Sequence, residues 1–305
     1  MTPGQPDDVP RRLGQLHVEV LESLNQHRLL TTVQVHVLHA PNATRRFVQQ
    51  FLLDRLHATG LVAVARGRRG LKVWHLTERG VETVEAMSSR AETRHKLISS
   101  EQAAGPLQQH TLGVSDVGIA FVRTARERGD ECGPFDWRHE IAHSLGPPPG
   151  RRLPEQLIAD AVLTYQLTEP DDSTSVVYRF VVLDRATRSA ATLAAGLGRY
   201  ARLYRRMIPA EDPADPPVPL WTRLYPAFPT VLVALTGRRR DLLDKRRDTV
   251  LELCRQDPDL REVSEVEVSI CLLYDLIERG PFAPICRTVA NPDVAVNWLG
   301  ERGAA

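Results

Sequence analysis

Lysine is nearly missing from this chain. Lys72, Lys96 and Lys245 are the whole complement among 39 basic residues, so its cationic surface is arginine surface. No apolar run approaches the ~20 residues that a membrane-spanning helix needs, which excludes a helical span. The first twelve residues, Met1 to Arg12, are polar and proline-containing and lack the apolar core of a secretory signal. They read as a disordered tail, and the expected location is the cytoplasm, with no membrane partner. The four cysteines, Cys132, Cys254, Cys271 and Cys286, stand far apart without paired spacing. That argues against a disulfide framework or a cysteine zinc site and leaves small buried thiols as the expectation. A glycine-rich phosphate loop is also missing, so nucleotide hydrolysis has no support, and no internal repeat is visible. What is present is ordinary for a globular protein, with 42% hydrophobic and 25% charged residues in a length of 305, enough for two domains with real cores.

The most informative stretch runs from Arg28 to Gly80. An amphipathic helix precedes it, with Leu13, Leu16, Val20, Leu21 and Leu24 on one face. Thr31 or Thr32 then caps a short apolar helix over Val33 to Leu38, which Pro41 ends. Thr44 caps a longer helix from Arg45 to Ala58. The three- and four-residue spacing of Phe47, Val48, Phe51, Leu52 and Leu56 predicts one shared buried face. Arg45, Arg46, Gln49 and Gln50 fall on another face, and Gly60 stops the helix. Two strands follow, Leu61 to Val64 and Leu71 to Leu76, joined by the basic turn Arg66-Gly67-Arg68-Arg69-Gly70. Helix, turn, helix and two-stranded wing predict a winged helix-turn-helix over residues 13–80.

Charge agrees with that pattern. Residues 41–80 hold eight basic side chains (Arg45, Arg46, Arg55, Arg66, Arg68, Arg69, Lys72, Arg79) against Asp54 and Glu78, about +6 in a chain of net charge +1. Arginine offers a planar fork to guanine or phosphate, and glutamine can pair with an adenine edge. The expected partner is therefore double-stranded DNA. Arg45, Arg46, Gln49 and Gln50 would enter the major groove, with Arg66, Arg68, Arg69 and Lys72 on the backbone. The bland alternative is that arginines simply cover a solvated helix face.

Past the wing, residues 81–109 read as a connecting helix to about Ile98, either a solvated connector or an arm for a homodimer, and then a weak linker over Ser99 to Gly105. Residues 110–305 form a second pattern. It has a helix over Val114 to Arg128, a strand over Phe135 to Ile141, a proline-rich loop, and strands over Leu157 to Leu167 and Val176 to Leu183. A helix capped by Thr187 or Ser189, a strand over Thr230 to Leu235, a charged helix over Arg238 to Cys254 and a strand over Val266 to Leu273 follow, then an irregular end. The expected fold class is α+β, a winged helix followed by a mixed-sheet α/β domain whose element order resembles the restriction-endonuclease-like core.

An ordered set of short motifs resembles the replication-relaxation proteins of actinobacterial plasmids and mobile elements. The matching pieces begin with His27-Arg28-Leu29-Leu30-Thr31-Thr32, Leu56 to Val64, and His110-Thr111-Leu112-Gly113-Val114-Ser115-Asp116-Val117. Trp137 with Glu140, Ile158-Ala159-Asp160-Ala161, and Phe180-Val181-Val182-Leu183-Asp184-Arg185-Ala186-Thr187 continue it, and Tyr200 lies in the helix after them. The resemblance implies a winged-helix DNA-binding domain joined to a nuclease-like domain. It also implies a role in plasmid replication, DNA relaxation or transfer; transcriptional control of such an element fits the same DNA-binding reading, and plasmid replication or transfer proteins are the expected protein partners.

The resemblance also implies where this chain departs from its relatives. Relatives tend to read Pro-Asp where Ala159-Asp160 stands, and carry a glutamate where Val182 stands. A nuclease of this type holds Mg²⁺ on an Asp and a Glu of neighbouring strands, with a lysine orienting water. Here the second ligand is valine, and Asp184 occupies the place of the lysine. Asp160, Asp184 and Glu140 remain candidate Mg²⁺ ligands and catalytic residues, but a degenerate domain that does not cleave DNA efficiently is the expectation. The alternative for the acids is a structural network with Arg185 or Arg138.

One rival motif stands apart. His139-Glu140-Ile141-Ala142-His143 matches the zinc-peptidase pattern, in which two histidines on one helix face hold zinc and the glutamate activates water. Pro147-Pro148-Pro149 follows at once, no later histidine exists, and the third ligand would have to be Glu155 or Asp160. The stretch also alternates as a strand does. Three readings thus stand: a DNA-binding accessory or regulator, a divalent-metal nuclease, and a zinc peptidase.

Overall fold

A computed structural model describes residues 13–87, 98–147, 153–169, 171, 173–212 and 214–302. The expected tail over 1–12 and much of the connecting helix lie outside these residues. The chain divides into two compact units, residues 1–122 with 133–135, and residues 123–132 with 136–305.

The first unit starts with α1 (Gln15–His27) and a two-residue strand β1 (Leu30–Thr31). Thr31 then caps α2 (Thr32–His39). Its side chain accepts the Gln34 backbone N–H, and the Gln34 side chain returns a bond to the Thr31 backbone N–H, a reciprocal capping box. Thr44 accepts from the Phe47 N–H and opens the next helix. That helix is not the uninterrupted α-helix expected over 45–58. It runs as α3 (Arg45–Phe47), a π-helical turn (Val48–Leu53) and α4 (Asp54–Ala58). The Asp54 N–H reaches the Gln49 carbonyl, five residues back. Gly60, at φ +74°, ends it in a conformation that favours glycine.

Strands β2 (Val62–Arg66) and β3 (Lys72–Leu76) pair antiparallel, with Arg66 opposite Lys72, and β1 pairs on the far side of β3. The sheet order is therefore β1-β3-β2. Val20, Leu21, Leu24, Leu30, Val35, Val48, Leu52, Leu53, Leu56, Val73 and Trp74 are buried. α5 (Glu78–Met87) and α6 (Ser100–Ala104) follow. The second of these corrects the expected linker over Ser99 to Gly105, because Ser99 and Gln102 form another capping box there. The division between the units falls inside α7 (Gln108–Arg128), after Val122.

The second unit is built on a six-stranded mixed sheet of order β11-β10-β9-β6-β5-β4. β4 (Trp137–Gly146), β5 (Glu155–Thr168) and β6 (Thr174–Asp184) form an antiparallel meander. Ser189 accepts the Thr192 N–H and opens α8 (Ala190–Tyr204); the small strands β7 (Met207–Ile208) and β8 (Val218–Pro219) pair with each other. β9 (Thr230–Leu235) lies parallel to β6. α9 (Arg240–Gln256) and α10 (Pro258–Arg261) lead to β10 (Val268–Leu272), parallel to β9. The end is less irregular than expected, with α11 (Leu273–Arg279) and an antiparallel β11 (Arg287–Thr288). The core packs α8 and α9 on the sheet, with Phe180, Val231, Val233, Ile270, Leu197, Tyr200, Val250 and Cys254 at its centre. The class is α+β with a mixed sheet.

Candidate nucleic-acid interface

Arg45 and Arg46 follow the Thr44 cap directly, and both are exposed. Arg45 makes no ion pair among the described residues. Arg46 Nε donates to Gln50 Oε1 at 3.2 Å, one helical turn along, and Gln50 is exposed too. These three side chains therefore share an outward face whose cations no described carboxylate neutralises.

Gln49 behaves differently. Its Oε1 accepts from Thr32 Oγ1 at 3.0 Å and its Nε2 donates to Asp54 Oδ1 at 2.5 Å. Trp74 Nε1 donates to the same Thr32 oxygen at 3.0 Å, and Lys72 Nζ lies 3.6 Å from Asp54 Oδ1. The chain Trp74, Thr32, Gln49, Asp54 and Lys72 thus ties α2, the π turn and the β2–β3 hairpin together. Gln49 is a strut between elements, although sequence spacing places it among the groove residues. Lys72 stays half-exposed at 51%, open to a phosphate as well as to Asp54.

The hairpin tip carries Arg66 and Arg68, both exposed. A short 3₁₀ turn over Arg68–Gly70 joins the strands; the Gly67 N–H donates to the Leu71 carbonyl at 2.7 Å, and Gly70 sits at φ +76°. The side chain of Arg69 lies outside the described residues.

Two residues that spacing assigns to the buried face are outside. Val48, Leu52, Leu53 and Leu56 are buried, but Phe47 is 38% and Phe51 55% exposed. The wide π turn shifts the helix by one residue relative to its apolar stripe, so Leu53 moves inward and Phe51 does not. The two phenyl rings stack on each other, centroids 5.4 Å apart at 25°. His17 Nε2, on α1, lies 3.2 Å from the Phe51 carbonyl oxygen.

The candidate carboxylates Glu140, Asp160 and Asp184 lie on β4, β5 and β6. Ala161 pairs with Val181 in the β5–β6 register, so Asp160 and Val182 adjoin that pair, and Asp184 lies two residues beyond Val182 on the same face of β6. Asp160 Oδ2 accepts the Leu183 N–H at 2.7 Å. Asp184 faces Arg246 of α9, with Nε at 2.5 Å from Oδ2 and Nη2 at 3.2 Å from Oδ1. Arg246 also reaches the Ser189 carbonyl at 3.5 Å, below the first turn of α8. Among the described residues, no group of three or more His, Cys, Asp or Glu side chains is placed to hold a metal ion. Glu140, Asp160 and Asp184 therefore do not form such a three-ligand group. Asp184 is thus paired with an arginine 62 residues away in the chain.

The zinc-peptidase motif does not take the helical form that pattern requires. His139, Glu140 and His143 lie on β4, where side chains four apart stand roughly 13 Å from each other along the strand, and do not converge as they would on a helix. His139 and His143 are both buried. His143 Nε2 is 2.7 Å from the Tyr225 hydroxyl; burial lowers the pKa of this imidazole and pushes that of the phenol up to about 12. Glu155, the proposed third ligand, pairs with Arg202 at 2.7 Å and Arg199 at 3.0 Å, and the Arg202 hydrogen bond holds its carboxyl below the usual range.

A family model described as replication-relaxation matches residues 21–214. The chain belongs to the replication-relaxation family. The match runs from α1 of this replication-relaxation protein through its first unit, the β4–β5–β6 meander, α8 and β7, and stops before β8, short of β9 and β10. No curated protein and no solved structure matches the chain.

Proposed function

We propose that this replication-relaxation protein is a sequence-specific duplex DNA-binding protein of plasmid or mobile-element replication, relaxation or transfer, or of its transcriptional control. Its first unit serves as a winged helix, and its second as a nuclease-like domain without efficient cleavage. The reading is carried by one observation. Arg45, Arg46 and Gln50 stand exposed on the third helix of a helix, strand, helix, helix, hairpin order, in a unit with a basic hairpin tip. In that arrangement the helix enters the major groove and the hairpin follows the phosphates. Family membership supports the replication theme. For the second unit, the engagement of Asp184 by Arg246 and the valine at 182 support a scaffold more than a catalyst.

Fluorescence anisotropy with labelled duplex DNA tests the reading. Arg45→Ala with Arg46→Ala is expected to weaken binding about tenfold or more, and to reduce the slope of log K against log salt by about two. Binding and slope left unchanged would remove this helix from the interface.

A further inference from the structure

We propose that the exposed Phe47–Phe51 pair reads the C5-methyl groups of thymine in the major groove, so that the bound site is rich in A·T pairs. The inference rests on the DNA-binding reading above and names the base it selects.

The two rings are neither core nor loose. They stack on each other and stand one residue beyond Arg46 and Gln50 respectively, so the aromatic pair and the polar pair run side by side along the helix. The π turn makes this possible, since it brings Leu53 into the core and leaves Phe51 in solvent. Whatever covers the rings must be apolar where it meets them and anionic at the rim, because Arg45 and Arg46 adjoin them and no described acid pairs with either arginine. A second copy of this chain fits poorly. A two-fold contact over the rings would bring the same arginines of both copies together. A DNA major groove fits both demands, with methyl groups on thymine and phosphates on either side. Gln50 adds a consistent element, since its amide can pair with N6 and N7 of the adenine opposite such a thymine.

The test uses the full chain and a random-sequence duplex pool amplified with either dTTP or dUTP. The two products share base pairing and charge and differ only in the thymine methyl. Wild type is expected to prefer the dTTP pool, and in the site enriched from it to lose about fourfold in affinity for each contacted thymine changed to deoxyuridine. Phe47→Ala and Phe51→Ala should abolish that preference while keeping a salt-dependent residual affinity, with circular dichroism and melting checking that each variant folds. Equal binding of the two pools by wild type, with duplex affinity intact, would overturn the methyl reading and leave DNA binding standing. Loss of all duplex binding by wild type would overturn both. A change of oligomeric state in Phe51→Ala by sedimentation, with the pool preference unchanged, would make the rings a protein interface and also overturn the proposal.

Discussion

Replacing Asp184 by Asn removes the charge that Arg246 faces and leaves a guanidinium in a site where its side chain is only 13% exposed and that of Asp184 only 9%. Breaking a buried ion pair from one side costs about 3–5 kcal/mol, because the surviving charge keeps its desolvation penalty without its partner. The asparagine amide oxygen can still accept from Arg246, and the Ser189 carbonyl lies 3.5 Å away, so the lower end of that range applies. In a unit of this size each kcal/mol moves Tm by about 2–4 °C, which gives a fall of about 6–12 °C. Arg246→Ala should cost a similar amount. The double variant Asp184→Leu/Arg246→Met, which removes both charges and keeps apolar volume, should lose less than either single change. Differential scanning calorimetry of the full chain, in metal-free buffer and with Mg²⁺ added, reads all of this. The reasoning fails if Asp184→Asn melts like wild type and Mg²⁺ raises the Tm of wild type alone. That pair of results would make Asp184 a metal ligand, because a ligand bound only by the folded state stabilises it by mass action.

Two further expectations concern the first unit. A Cβ at Gly80 would lie 2.0 Å from the Leu61 carbonyl oxygen, which already accepts the Thr77 N–H at 3.1 Å, so Gly80→Ala must push backbone apart. It should cost about 1–3 kcal/mol in thermal or denaturant unfolding, and an unchanged midpoint would refute the close approach. Asp116 is raised to about 6 by burial, partly offset by the hydrogen bond donated from Gln34 Nε2 at 2.7 Å. A carboxyl raised on folding contributes stability that is present below its unfolded pKa and lost as pH rises through about 6. Asp116→Asn should therefore exceed wild type by about 2–3 kcal/mol at pH 7.5 and by little at pH 4, measured by denaturant unfolding across that range; a difference independent of pH would mean that ionisation is not its cause.

The parts legible in sequence are those whose signal is local. Thr230–Leu235 is an apolar run of strand length, and it is a strand with those bounds. Thr31, Thr44 and Ser189 each accept the N–H three residues on, as their position before a helix implies. The β4 stretch shows how five letters can mislead where alternation does not. His139 and His143 suit a helical zinc site, but Trp137, His139 and His143 are buried while Arg138 and Glu140 are exposed, which is a strand pattern. What stayed hidden depends on distant partners. Gln49 turns inward because Thr32 and Asp54 take both ends of its amide. Asp184 meets Arg246 across the whole of α8. The π turn is invisible because Phe47, Val48, Phe51, Leu52 and Leu56 satisfy an α-helical stripe on paper; only packing against the rest of the unit selects Leu53 instead.

The five-residue spacing of the Asp54 to Gln49 bond adds one residue to a helix whose two ends remain α-helical. Such a step is what a single-codon insertion leaves behind when both flanks are pinned. Alignments of replication-relaxation proteins across residues 48–53 should therefore open a one-position gap, and homologues without the inserted residue would turn a different set of side chains toward solvent. On the DNA-binding reading proposed above, divergence in DNA preference within the family would then arise from helix phase, with every contacting amino acid left as it was.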